Sequence, residues 1–127
     1  MVQERRAGCE PIRKMKAHYD KRAFQLWEYR VSHGQVLVRS PKDPTHHTNI
    51  DFAFAGVEYM DLPRYLPELQ LDDPTPADVA RASERLGKPV DEKSVVILQT
   101  GSRRHLVVAA AIKVSHSDMD IFESPFH

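Results

Sequence analysis

Phe24-Gln-Leu-Trp-Glu-Tyr-Arg-Val-Ser32, then His33-Gly34, then Gln35-Val-Leu-Val-Arg39, is the stretch whose reading decides the fold. Two runs rich in aromatic and β-branched residues flank a two-residue turn that contains glycine, a strong local signature of a β-hairpin. Strict alternation puts Gln25, Trp27, Tyr29 and Val31 on one face of the first strand. Phe24, Leu26, Glu28 and Arg30 then take the other. Both faces are partly apolar, so one side is expected to meet the core and the other an interface, a ligand groove or a covering helix.

Working outward, Ser40 to Asn49 holds two prolines and reads as a loop. Ile50 to Ala55 alternates with Ile50, Phe52 and Phe54 inward, and Gly56 then reverses the parity for Val57 and Tyr59. A parity change at glycine predicts a strand that turns a corner and continues toward Met60. The three prolines in Asp61–Pro74 exclude a long helix, leaving a helical turn and a short extended piece. Thr75-Pro-Ala-Asp78 then opens a helix: Thr75 caps it, Pro76 suits its first turn, and Asp78 completes a capping-box pattern. Val79, Ala82 and Leu86 form its apolar stripe, and Gly87 and Pro89 end it.

Ser94 to Thr100 is apolar on both faces, as a central strand covered on both sides would be. After the turn Gly101–Arg104, His105 to Val114 reads as one long partner strand. The alanines at 109–111 are explained as room for the helix to approach. Ser115–Asp118 reads as a turn, and Met119 to Phe122 as a last short strand. In the first 23 residues, seven Lys and Arg residues face three carboxylates. Ile12, Met15 and Tyr19 recur at helical spacing, so residues 1–23 form a basic arm or short amphipathic helix.

The fold class expected is therefore α+β. An antiparallel, strongly bent sheet of five or six strands, bent far enough to admit a barrel-like form, carries one or two helices. Residues 24–127 make one domain, since 127 residues supply a single sizeable core and not two. Eighteen basic residues match eighteen acidic ones, which argues against a general polyanion binder and for self-association. The single cysteine, Cys9, has no disulfide partner and no CxxC companion. With no signal-like or membrane-length apolar run, the expectation is a cytoplasmic protein with no membrane contact.

HExxH, GxGxxG, GxSxG and Walker-type loops are absent, and no cofactor is expected. His46-His47 diverge on an extended loop. His116, Asp118 and Asp120 alternate and are the metal candidates, although a polar turn with an edge strand explains them as well, and no metal site is assigned. Thr100 to His105 offers turn amides and guanidinium groups to an anion, against the ordinary account of a charged hairpin tip. Glu28 would be an acid/base candidate if buried, but a carboxylate there more often pairs with a cross-strand arginine such as Arg39. No catalytic residues are assigned.

The leading expectation is a non-enzymatic binding domain that self-associates through an apolar sheet face or edge, forming a homo-oligomer or meeting another protein. The alternative is a small enzyme or ligand-binding barrel, taking a small molecule in the mouth of the bent sheet. Trp27, Tyr29, Arg39, Arg103 and His105 are the partner- or ligand-contacting residues under either account. Nucleic-acid binding through the basic arm comes last, disfavoured by the zero net charge.

Overall fold

A computed structural model describes residues 10–11, 17–19, 21–120 and 123–126. In chain order the elements are β1 (Glu10–Pro11), β2 (Ala17–Tyr19), β3 (Phe24–Arg30), β4 (Gln35–Ser40), β5 (Asn49–Ala55), β6 (Tyr59–Met60), β7 (Tyr65–Leu66), β8 (Leu69–Asp72), α1 (Pro76–Leu86), β9 (Val95–Thr100), β10 (Arg103–Val108) and β11 (Ala111–Ser117). The fold is α+β with antiparallel strands, as expected. The strands divide between a six-stranded sheet, β1-β11-β5-β4-β3-β7, and a five-stranded one, β2-β8-β9-β10-β6. They do not close into a barrel. The inner faces meet in one core, where Val36, Val38, Ile50, Phe52, Phe54 and Ile112 oppose Leu69, Leu71, Val96, Leu98 and Val107.

The helix forms a third layer. Thr75 Oγ1 accepts from the Asp78 amide while the Asp78 carboxylate accepts from the Thr75 amide, so both orphan donors of the first turn are satisfied. Val79, Ala82 and Leu86 pack onto Val95, Ile97, Leu106 and Val108 on the outer face of the five-stranded sheet. Central β9 therefore buries Val96 and Leu98 on one side and Val95 and Ile97 on the other. That double burial is why its sequence is apolar throughout.

The chain changes sheet at two adjacent corners. Gly56, at φ 64°, carries it from β5 toward β6 in the other sheet. The segment read as one strand from His105 to Val114 is broken at Ala109-Ala110, and β11 returns to the first sheet. The Ala110 amide donates to the Ala55 carbonyl at 3.0 Å, and the Glu58 amide to that of Val108 at 2.8 Å. A Cβ on Gly56 would stand 2.9 Å from the Ala110 Cβ. The alanines thus serve the corner; the helix packs elsewhere. Gly56→Ala is expected to destabilise by about 1–3 kcal/mol through left-handed strain, with the clash added. Gly87→Ala, at φ 70° but with nothing within 4 Å, isolates the strain alone. Urea unfolding of the two variants should show the larger loss at Gly56.

Other local expectations changed. Residues 61–74 hold two short strands, β7 and β8, and no helical turn. Ser115 to Ser117, read as a turn, instead continue β11, and Asp118 to Asp120 lie outside any strand. Tyr19, placed on the helical stripe, instead pairs in β2 with Leu69 and packs on Phe24 and Phe52; burial pushes its phenol pKa up. The rest of the amphipathic-helix expectation, Cys9, and positions 121–122 of the last strand lie outside the described residues. Among the described residues no helix is long and apolar enough to cross a membrane.

Candidate functional site

The five residues named as partner- or ligand-contacting fall in three places in the structure. The reason begins in β3. Leu26 pairs with Val38 but Glu28 pairs with Leu37, so Trp27 is an extra residue, a β-bulge. The bulge reverses parity beyond it. Tyr29 now pairs with Val36 and shares the inward-facing register of Phe24 and Leu26, opposite to the side on which Trp27 meets Arg39. The turn also differs: Arg30 pairs with Gln35, and Val31 to His33 form a 3-10 turn closed by Gly34 at φ 58°. Val31 leaves the strand altogether and is 73% exposed. Val57 donates its amide to the Gly34 carbonyl at 2.9 Å, tying the turn to the Gly56 corner.

The first place is the outer face of the six-stranded sheet. Arg39, fully buried, takes Asp51 in a two-point ion pair, Nε to Oδ1 at 2.7 Å and Nη2 to Oδ2 at 3.0 Å. In the strand register Arg39 lies opposite Gln25 and Asp51, while Glu28 lies opposite Leu37. Trp27 lies over the guanidinium at 5.4 Å. The remaining cover is the C-terminal segment, which presents backbone carbonyls to side chains of the sheet. Met119 accepts from Asn49, Glu123 from Arg39, and Phe126 from Arg30. The end of the described chain thus lies against the outer face of the sheet at Arg30, Arg39 and Asn49, with Trp27 half-buried beside Arg39.

The second place is the free end of the hairpin. Tyr29 is 50% exposed beside Val31. Among the described residues, β3 pairs with β7 only at Phe24 and Gln25, with one further hydrogen bond from the Leu26 amide to the Arg64 carbonyl. Its pairing with β4, by contrast, runs on to Arg30.

The third place is a cleft of about 520 Å³ at the mouth between the sheets, and it holds Arg103 and His105. Pro63, Tyr65 and Pro67 make one wall, and Thr100 to Ser102 and Glu68 make much of the rest. The prolines that excluded a helix here also hold this wall in extended form. His105 Nδ1 donates to the Asp61 carbonyl at 3.2 Å, and Asp61 Oδ1 accepts from the Leu106 amide at 2.7 Å. His105 Nε2 is buried without a hydrogen-bond partner among the described residues.

Arg104, grouped with Arg103 as an anion holder, alternates to the opposite face and is already engaged. Its Nη2 donates to Asp78 at 2.6 Å, its Nη1 to Asp72 at 2.8 Å and to Gln99 at 2.9 Å. Burial works to raise the Asp78 carboxyl pKa, yet the hydrogen bonds from Arg104 and Thr75 outweigh it and the net shift is downward. Hydrogen bonds to Asp78 and Asp72 correspondingly raise that of Arg104. This network fastens the helix start to β8 and β10. The sequence offered Asp78 only as a cap; nothing local pointed to the arginine 26 residues further on.

Of the loop histidines, His46 is turned back onto Asp43, whose Oδ1 also accepts from the Thr45 amide and hydroxyl. Led by the Thr45 hydrogen bonds, these contacts hold the Asp43 carboxyl down to about 2. Asp43-Pro-Thr-His46 is thus a self-contained turn. His116, Asp118 and Asp120 are all exposed, and among the described residues no three His, Cys, Asp or Glu side chains converge as a metal site. No protein-family model matches this chain, and no curated protein or solved structure matches it.

Proposed function

We propose that this protein is a non-enzymatic binding domain that self-associates, two copies pairing along the open edge of β3 at the hairpin end. The observation that carries the reading is the combination at the hairpin end of a β3–β7 pairing that covers only Phe24 and Gln25, with the Leu26 amide held by the Arg64 carbonyl, and two exposed apolar side chains, Tyr29 and Val31. An open edge presents alternate N–H and C=O groups that a second strand satisfies. An antiparallel pair of identical strands is related by a twofold axis, the commonest symmetry of homo-oligomers. The zero net charge imposes little overall repulsion between copies. The reading places the protein in the reducing cytoplasm, where its one cysteine, Cys9, stays unpaired.

Size-exclusion chromatography with light scattering tests it. Wild type is expected to move toward twice the chain mass as concentration rises. Tyr29→Glu puts a charge at the centre of the contact and should weaken association at least about tenfold, the scale of an interface hot spot. A single-chain mass at every concentration, or a variant that associates like wild type, rejects the reading.

A further inference from the structure

The cleft between the sheets is independent of the β3 edge, and its lining combines two chemistries. Tyr65, 56% exposed, stands with Pro63 and Pro67 as an apolar wall. Arg103, on an exposed stretch of β10, has no ion-pair partner among the described residues, whereas Arg39 and Arg104 each hold a carboxylate. The nearby carboxylate of Glu68 accepts from the Gly101 amide at 3.3 Å. His105 completes the lining. Because a carbonyl oxygen only accepts, its Nδ1 carries the proton toward Asp61, and the buried Nε2 has no hydrogen-bond partner among the described residues. A cleft with predominantly apolar walls and few convergent polar groups is the usual form of a small-molecule site.

We propose that this cleft binds a small organic carboxylate on a flat apolar frame, Arg103 taking the carboxylate and Tyr65 with Pro63 and Pro67 taking the frame. A guanidinium forks onto a carboxylate through two parallel N–H donors, which selects a planar anion over a neutral amide of the same shape. Ser102 adds a hydroxyl at the rim.

The test is an amide NMR titration of the full chain, at a dilution where one mass is present, with sodium benzoate and with benzamide as its neutral isostere. Benzoate is expected to give saturable shifts at Tyr65, Glu68, Gly101, Ser102 and His105, with benzamide at least about tenfold weaker. Arg103→Gln should weaken benzoate by a similar factor, and Arg103→Lys by less, because the charge remains without the fork. Arg103 is exposed, and unshifted amides elsewhere in Arg103→Gln report that the fold is kept. Absence of saturable shifts, equal affinity for benzoate and benzamide, or unchanged benzoate binding by Arg103→Gln would each overturn the proposal. None of these outcomes depends on whether copies associate through β3.

Discussion

Asp51→Ala is expected to be among the most damaging single substitutions in this chain, costing about 3–5 kcal/mol, the usual penalty for stranding one member of a buried ion pair. Arg39 and Asp51 are 0% and 1% exposed, so water cannot replace the lost carboxylate. Trp27 and the Glu123 carbonyl also contact the guanidinium, and neither brings a negative charge to it. Small domains are stable by only about 5–15 kcal/mol, so this one change consumes much of the margin. The pair is costly to break without being a strong net source of stability, because burying both charges also carries a desolvation penalty. Arg39→Met combined with Asp51→Leu should therefore recover most of the loss. Urea unfolding of the single and double variants checks this. A double variant no more stable than Asp51→Ala would show that the surrounding contacts, and not the stranded charge, set the cost.

Phe52→Ala is expected to cost a similar amount, about 3–5 kcal/mol, by a different mechanism. Phe52 is fully buried at the centre of the first sheet, stacked on Phe24 with ring centroids 5.2 Å apart and planes 7° from parallel. Tyr19 closes on both rings, at 5.5 Å from Phe24 and 5.8 Å from Phe52. Truncation removes the ring's transfer energy and leaves a cavity lined by aromatics that are held by strands on both sheets and relax little. At roughly 3–5 °C per kcal/mol for a domain of this size, thermal unfolding should fall by on the order of 10–20 °C. Phe52→Leu, which keeps most of the volume, should lose well under half as much. Equal losses for Ala and Leu would contradict a packing origin.

These two residues also mark what was legible in the sequence. Phe52 was readable because alternation across Ile50, Phe52 and Phe54 is local, and β5 buries all three. The α1 cap, the two-faced β9 and the corner at Gly56 were readable for the same reason: each is dictated by neighbours within a few residues. Arg39 was not. Its partner was settled by the bulge at Trp27, where one extra residue shifted the β3–β4 register and set Glu28 opposite Leu37. The same residue sent Trp27 and Tyr29 to opposite sides of the strand. The cover over Arg39 comes from carbonyls of Glu123 and Phe126, which carry no side-chain signature. Tyr19 fitted a helical spacing of three residues, but pairing with β8 overrode that short periodicity. The cleft was half legible: Arg103 and His105 were named, while its proline and tyrosine wall was read only as a helix breaker.

The central claim is that copies meet along β3, and amide hydrogen exchange measured at low and high protein concentration addresses it residue by residue. Pairing through that edge predicts that protection within 27–31 rises with concentration while β9, already central in its sheet, stays unchanged. Protection at 27–31 that is the same in dilute and concentrated solution, or a concentration-dependent rise confined to another surface, would contradict the account.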